Sequence, residues 1–180
     1  MELIDALEQT FQHADGVIGN VRPDQYDDPT PCSEWAVRDL LSHTIGVVSG
    51  LGAAAAGDPP TEFALGADPA AQFREAAAVA LAAWRTPGVL DKIVDAGPGP
   101  MPGRMLAGIN LLDTATHTWD IATATGQPAE LPVGVAEAAF EAARGTISPA
   151  IRPGRFGPEV PAATTAGPTE QLVAFLGRQP

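Results

Sequence analysis

Apolar residues recur at intervals of three and four along most of this chain, which is the spacing of helices that bury one face. The stripe of the first such segment contains Leu3, Leu7, Phe11, Ala14, Ile18 and Val21. Between glycine and proline breaks, the pattern predicts five helices. The second starts near Ser33 or Trp35 and ends at about residue 56, and the other four cover about residues 2–20, 69–85, 103–125 and 134–147. A last helical turn or two is predicted over residues 169–176, after an irregular stretch from Pro149 to Pro168 that should wrap the surface.

Strand patterns are nearly absent, because no alternating β-branched run extends beyond a few residues. The segment from Gly97 to Gly103 contains only glycine, proline and methionine, and we expect no regular structure there. The predicted fold class is therefore all-α, a bundle of four to five helices. A length of 180 residues suits a single domain over residues 1–180.

The second predicted helix carries a stripe of small residues, Ser42, Gly46 and Gly50, at intervals of four. Glycine weakens a helix by about 1 kcal/mol relative to alanine, so its presence here needs a reason. We expect another helix or a ligand to approach this face closely. Ser33 is the expected N-cap of the helix, and Asp39 lies near its positive end.

The chain is acidic, with 22 Asp and Glu residues against 10 Lys and Arg and a formal net charge of −12. Nucleic-acid and anionic-membrane partners are disfavoured, because binding to phosphate groups depends largely on Lys and Arg. No apolar run approaches the roughly 18 residues of a membrane-spanning helix, and the N-terminus is acidic rather than a basic leader. The single cysteine, Cys32, excludes an internal disulfide and fits a reducing compartment, so we expect a cytoplasmic location.

The residues best suited to chemistry lie in the fourth predicted helix, where Asp113 and His117 are four positions apart. That spacing places both side chains on one helical face, with Cβ atoms about 5–6 Å apart, so both can reach one metal ion. A third ligand has to come from another helix, and His43 is the best candidate among the three histidines. Two imidazoles and one carboxylate leave coordination positions open, as in catalytic zinc sites or in iron or nickel sites.

Each of these residues also has a plainer interpretation. The stripe that contains Asp113 and His117 could be the solvent face of an amphipathic helix, although it carries no Lys, Arg or Glu. His43 alone could be a hydrogen-bonded core histidine. Asp120 is placed to fix the ring of His117 and Asp39 to fix that of His43, although Asp39 suits a helix-terminal or surface charge better.

Four further residues are interpreted from their surroundings along the chain. His13 lies off the apolar stripe of the first helix and is expected to face solvent. Cys32 has no histidine nearby in sequence, so a partly buried packing role is favoured over that of a nucleophile. Trp35 and Trp119 are expected to be core anchors first and walls of a substrate pocket second.

Several blocks of the chain resemble one known family. They are Thr30–His43, Asp113–Gln127, Phe156–Val160 and Leu172–Gly177. In these blocks the chain is similar to the mycothiol-dependent maleylpyruvate isomerase N-terminal-like family, within the DinB/YfiT-like superfamily of metal-binding bundles, and its tail resembles an uncharacterised actinobacterial branch. The resemblance implies a four-helix bundle with a short extra helix and an irregular C-terminal segment.

The resemblance also implies a divalent metal ion held by His43, Asp113 and His117, with zinc expected first and nickel or iron as alternatives. It implies mycothiol as a cofactor thiol, and a thiol transfer or isomerisation of a small electrophilic substrate. A metal-binding bundle without turnover, acting as a sensor, carrier or interaction module, is the alternative, and a homodimer is left open. The chain departs from the isomerase in having Asp113 where the isomerase has the longer Glu, and we expect it to lack the isomerase's additional C-terminal domain.

Overall fold

A computed structural model describes residues 1–59, 62–97 and 99–180, and within them the chain forms six α-helices. The helices are α1 (Leu3–Gly19), α2 (Val37–Ala56), α3 (Pro69–Trp84), α4 (Gly103–Thr125), α5 (Val133–Thr146) and α6 (Pro168–Phe175). The same residues contain two 3₁₀ turns, Pro23–Gln25 and Val89–Asp91, and one pair of short strands. The predicted all-α class is confirmed. Among the described helices, none combines the length and the apolar composition that crossing a bilayer requires.

Helix α4 lies at the centre of the bundle. It packs against α1, α2 and α5, while α3 packs against α1 and α2, and α6 packs against α5. Most side chains of α4 between Leu106 and Ala122 are buried, so this helix lacks the single apolar stripe of a surface helix. The interpretation of the stripe around His117 as a solvent face is therefore wrong, because His117 and Asp120 are buried.

The predicted apolar stripe of α1 packs into the core. Leu7, Phe11 and Ile18 are buried, and the ring of Phe11 meets that of Phe73 from α3 edge-on, with centroids 6.1 Å apart. Full burial of one such side chain stabilises the folded state by about 1.5–3 kcal/mol. The three-to-four periodicity therefore identifies the buried face of α1 correctly.

Helix α2 begins at Val37, so the expected start at Ser33 or Trp35 is wrong, and Ser33 is not its N-cap. The residues before it are held in a turn, in which Thr30 Oγ1 accepts a hydrogen bond from the Cys32 amide and donates one to the Trp35 carbonyl. A side chain that bonds its own backbone in this way competes with helix formation. The turn therefore delays the helix by two to four residues.

Asp39 stabilises the start of α2. Its Oδ2 accepts a hydrogen bond from the Ala36 amide at 2.9 Å, and a negative charge in the first turn also suits the helix dipole. Asp39 is exposed and is a helix-terminal charge. The alternative prediction, that it fixes the ring of His43, is wrong.

Two strands, β1 (Ile93–Asp95) and β2 (Pro100–Pro102), form an antiparallel hairpin, and β2 lies in the segment from Gly97 to Gly103, where we expected no regular structure. Prolines at alternate positions of a short edge strand are tolerated, because such a strand can leave these positions without a backbone donor. Pro98, in the connection between the strands, and Pro60, in the predicted break after α2, lie outside the described residues.

The small residues of α2 serve a different purpose from the expected one. A Cβ at Gly46 would lie 3.4 Å from the ring of Phe63 in the α2–α3 connection, and one at Gly50 would meet nothing within 4 Å. The close helix contact is at Gly52, where a Cβ would lie 2.7 Å from the Cα of Ala80 in α3. The α2–α3 approach therefore uses a glycine outside the predicted stripe.

Replacing Gly52 by alanine should lower the free energy of unfolding by about 1–2 kcal/mol, because the added methyl group forces α2 and α3 apart. The free-energy cost of this displacement is larger than the gain in helix propensity. Gly50→Ala is the matched control in the same helix, and it should raise the free energy of unfolding by about 0.5–1 kcal/mol. Urea unfolding followed by circular dichroism measures both. Equal stabilisation by the two substitutions would contradict the close approach at Ala80.

Candidate metal centre

The three predicted ligands, His43 from α2 and Asp113 and His117 from α4, lie together in the structure. His43 Nε2 is 3.0 Å and His117 Nε2 is 3.7 Å from Oδ2 of Asp113. The two imidazole rings are nearly perpendicular, with centroids 4.9 Å apart. One donor atom from each of the three residues lies within 4.8 Å of the other two. The four-residue spacing on α4 and the packing of α2 against α4 thus bring the three side chains to one place.

These donor atoms are spaced as ligands of one small cation would be. Two ligands of a tetrahedral zinc ion, each about 2.1 Å from it, lie about 3.4 Å apart, which falls between the two separations measured here. The second carboxylate oxygen of Asp113, Oδ1, is buried and has no hydrogen-bond partner among the described residues. A buried oxygen without a partner is costly, and a nearby cation would satisfy it. The residues present therefore fit a divalent metal ion.

The candidate centre is open to solvent on one side. The side chains of His43 and Asp113 are 32% and 21% exposed, whereas that of His117 is 11% exposed. The half-buried ring of Trp35 lies 4.6 Å from that of His43 and 5.8 Å from that of His117. Trp35 is therefore a wall of the site, whereas Trp119 is a buried core residue. His43 and Asp113 are therefore partly accessible to solvent.

Asp120 lies behind His117, on the side away from Asp113. Its Oδ2 is 3.0 Å from Nδ1 of His117, so the predicted contact between the two residues is confirmed. An ionised carboxylate only accepts hydrogen bonds, so Nδ1–H of His117 donates. Nε2, which faces Asp113, then carries the lone pair of a neutral ring and is the nitrogen able to bind a cation.

Asp120 has two further partners, Arg178 from the segment after α6 and Cys32 from the turn before α2. Arg178 donates from Nε to Oδ1 at 3.0 Å and from Nη2 to Oδ2 at 2.7 Å. The Cys32 sulfur lies 3.6 Å from the same Oδ2 and 3.3 Å from Nη2 of Arg178. Burial alone would raise the pKa of Asp120, but the hydrogen bonds from His117 and Arg178 and their charges lower it below its ordinary value.

Cys32, His117 and Asp120 also form a group of potential ligands, with donor atoms within 4.8 Å of one another. Burial raises the pKa of the Cys32 thiol to about 11, and the charge of Asp120 adds to the effect. A protonated thiol is a poor ligand, and the guanidinium of Arg178 already occupies the carboxylate. The group around His43 and Asp113 is therefore the better candidate for a metal ion.

Sequence patterns placed two other residues incorrectly or incompletely. His13 is half-buried rather than solvent-facing: its Nε2 is buried without a hydrogen-bond partner among the described residues, and burial lowers its pKa. Cys32 is partly buried, as predicted, but it contacts charged groups rather than only packing. No pattern identified Arg178, because it lies 58 residues from Asp120 and belongs to no periodic stripe.

Comparison with known proteins places these residues in context. The family model described as mycothiol maleylpyruvate isomerase N-terminal domain matches residues 7–122. Two proteins of Mycobacterium tuberculosis, from strains CDC 1551 and H37Rv and both described as uncharacterized, are each 39% identical to this chain over 169 residues, with 90% of both chains covered. No solved structure matches the chain significantly. The three candidate ligands lie inside the segment that the family model matches, whereas Arg178 lies beyond it.

The Cys32 thiol should react slowly with iodoacetamide at pH 8. With a pKa of about 11, about one thiol in a thousand is ionised at that pH, against about a quarter for an unperturbed cysteine. We expect alkylation of the native protein to be on the order of 100-fold slower than that of the same protein unfolded in urea. Cys32 is the only cysteine, so mass spectrometry reports on this site alone. A native rate that levels off below pH 9 would contradict the raised pKa.

Proposed function

Since the chain belongs to the mycothiol maleylpyruvate isomerase N-terminal domain family, we propose that it binds a divalent metal ion, zinc before nickel or iron, through His43, Asp113 and His117. The thiol that it uses is mycothiol, and the reaction is a thiol transfer or a thiol-assisted isomerisation of a small electrophile. The observation that carries the proposal is the convergence of three donors from two helices, next to Oδ1 of Asp113, which has no hydrogen-bond partner in the described part of the chain.

The elements that carry these donors support the proposal. Both ligand-bearing helices belong to the packed bundle, and α2 contacts α4 directly. Ligands on packed helices keep their separations better than ligands on loops, so little reorganisation is needed when a cation enters. Asp120 also limits the motion of one ligand, because it fixes the ring of His117 from behind.

The partial exposure of His43 and Asp113 supports a site that small molecules can enter. A divalent ion held here would supply Lewis acidity, which lowers the pKa of a coordinated thiol so that thiolate is present at neutral pH. Asp113 contributes one negative charge and the two neutral imidazoles contribute none, so the protein leaves part of a cation's charge uncompensated. The ring of Trp35 offers an apolar face for the carbon skeleton of the electrophile and restricts the access of water from its side.

The same proposal covers the organisation and location of the chain. Residues 1–180 act as one domain, since α5 packs on α4 and α6 packs on α5. Its place is the cytoplasm, which agrees with a lone cysteine. Nucleic acid is not a partner, in keeping with a net charge of −12.

Replacing His117 by alanine should weaken zinc binding by at least about 100-fold, because one of three protein ligands is lost and the remaining two cannot replace it. The matched control is His13→Ala, which removes the histidine that belongs to neither donor group and should leave the affinity unchanged. Competition with a chromophoric chelator gives the dissociation constant, and elemental analysis of dialysed protein gives the stoichiometry. A His117→Ala variant that retains one equivalent of zinc with wild-type affinity would disprove the ligand set.

Zinc-loaded protein should accelerate the conjugation of mycothiol with 1-chloro-2,4-dinitrobenzene. In this reaction a C–S bond forms, the C–Cl bond breaks, chloride leaves and the thiol proton passes to the buffer. His43→Ala should abolish the acceleration, because it removes the ligand from α2 while leaving the bundle core intact. Formation of the conjugate is followed by absorbance. Stoichiometric zinc binding without any acceleration, with this and with other generic electrophiles, would favour the non-catalytic sensor or carrier.

A further inference from the structure

The C-terminal segment contributes one residue to the interior of the candidate site. Arg178 follows α6, yet its side chain is only 9% exposed, and it forms a two-pronged contact with Asp120, whose side chain is completely buried. Such paired N–H···O bonds between guanidinium and carboxylate restrict the orientation of both groups. Arg178 therefore fixes the position of the carboxylate that in turn contacts His117.

The backbone around Arg178 is held in place independently of this contact. The Gly177 amide bonds to the Ala174 carbonyl and the Arg178 amide to the Val173 carbonyl, which ends α6 in a left-handed turn with φ 86° at Gly177. A Cβ at Gly177 would lie 2.7 Å from the backbone of Gly157, so two chain segments cross here at close range. The cap and the crossing together aim the Arg178 side chain at α4.

The two-pronged contact of Arg178 with Asp120 determines which nitrogen of His117 donates. Nε and Nη2 of Arg178 donate to Oδ1 and Oδ2 of Asp120, so both carboxylate oxygens are acceptors in the structure. Oδ2 also lies 3.0 Å from Nδ1 of His117, and an accepting oxygen at this place requires that Nδ1–H of His117 donates. Nε2 is then free of hydrogen on the side that faces Asp113 and His43.

We propose that Arg178 is a positioning residue for His117: acting through Asp120, it selects the Nδ1–H tautomer and fixes the ring so that Nε2 is the available donor at the centre. The consequence for metal affinity rests on the proposed function, whereas the tautomer itself does not. The docked C-terminal segment is thus part of the site, although it lies beyond the residues that the family model matches.

If Arg178 had a purely structural role, the expected results would differ. A second arginine of the chain provides a control that distinguishes this role from the proposed one. Arg152 also fastens this segment, through hydrogen bonds from Nη1 to the carbonyls of Gly157 and Phe175, but it does not contact Asp120. Arg152→Gln should therefore loosen the segment without changing His117. Arg178→Gln removes the charge beside Asp120, and Arg178→Lys retains the charge without the planar fork.

The decisive measurement is the tautomer of His117 in metal-free protein, read from ring nitrogen shifts in long-range ¹H–¹⁵N spectra at pH 8. The signals are assigned with His13→Ala and His43→Ala variants. We expect the wild type and Arg152→Gln to contain mainly the Nδ1–H form, Arg178→Gln to show a large Nε2–H fraction, and Arg178→Lys to lie between them. Zinc affinity should fall by about 10–100-fold in Arg178→Gln, partly recover in Arg178→Lys, and stay within about twofold of wild type in Arg152→Gln.

Two outcomes would overturn the inference. One is a wild-type His117 that is mainly Nε2–H, a result that needs no Arg178 variant and so stands even if Arg178→Gln does not fold. The other is a folded Arg178→Gln or Arg178→Lys variant with the wild-type tautomer and zinc affinity. If the wild type binds no zinc but its tautomer still depends on Arg178, the proposed function fails and the positioning role stands.

Discussion

A buried carboxylate needs partners, and the carboxylate of Asp120 determines how three distant parts of the chain meet. It lies on the central helix without any exposed surface, and it is contacted by His117 from its own helix, Arg178 from the C-terminal segment and Cys32 from the turn before α2. An unpaired charge at this depth would cost on the order of several kcal/mol. The docked C-terminal segment therefore supplies, through Arg178, the positive charge that a carboxylate at this depth needs.

Two buried threonines of α4 are satisfied within the helix itself. Thr116 Oγ1 donates to the Leu112 carbonyl and Thr118 Oγ1 to the Thr114 carbonyl, both at 2.7 Å. These local bonds allow a helix with a polar sequence to be buried on nearly all sides. A stripe of polar residues on α4 therefore looks amphipathic in the sequence although most of it lies inside the bundle. Among the described residues, Asp113 combines a buried carboxylate oxygen that has no hydrogen-bond partner with a side chain that is partly exposed to solvent.

What the sequence predicts well depends on how local the responsible interaction is. The end of α4 is predicted to the residue, because Gly126 adopts a left-handed conformation with φ 70° that terminates the helix. The pairing of Asp113 with His117 also follows from spacing alone. The start of α2 is not predicted, because the side chain of Thr30 forms hydrogen bonds that no periodicity reveals. Arg178 is missed for a stronger reason: its contact joins residues 58 positions apart, and only the folded chain brings them together.

The segment from Thr30 to His43 links the wall of the candidate site to one of its ligands. The turn places Trp35 over the imidazole rings, and α2 begins two residues later and presents His43 less than two helical turns from its start. Asp113 has a short side chain, yet its Oδ2 reaches His43 Nε2 at 3.0 Å, which requires α2 to lie close to α4. Because Trp35 and His43 are attached to the same end of α2, a shift of this helix relative to α4 would move both together. The position of this ligand and that of the aromatic wall beside it are therefore mechanically coupled, and a substitution that moves one is expected to move the other.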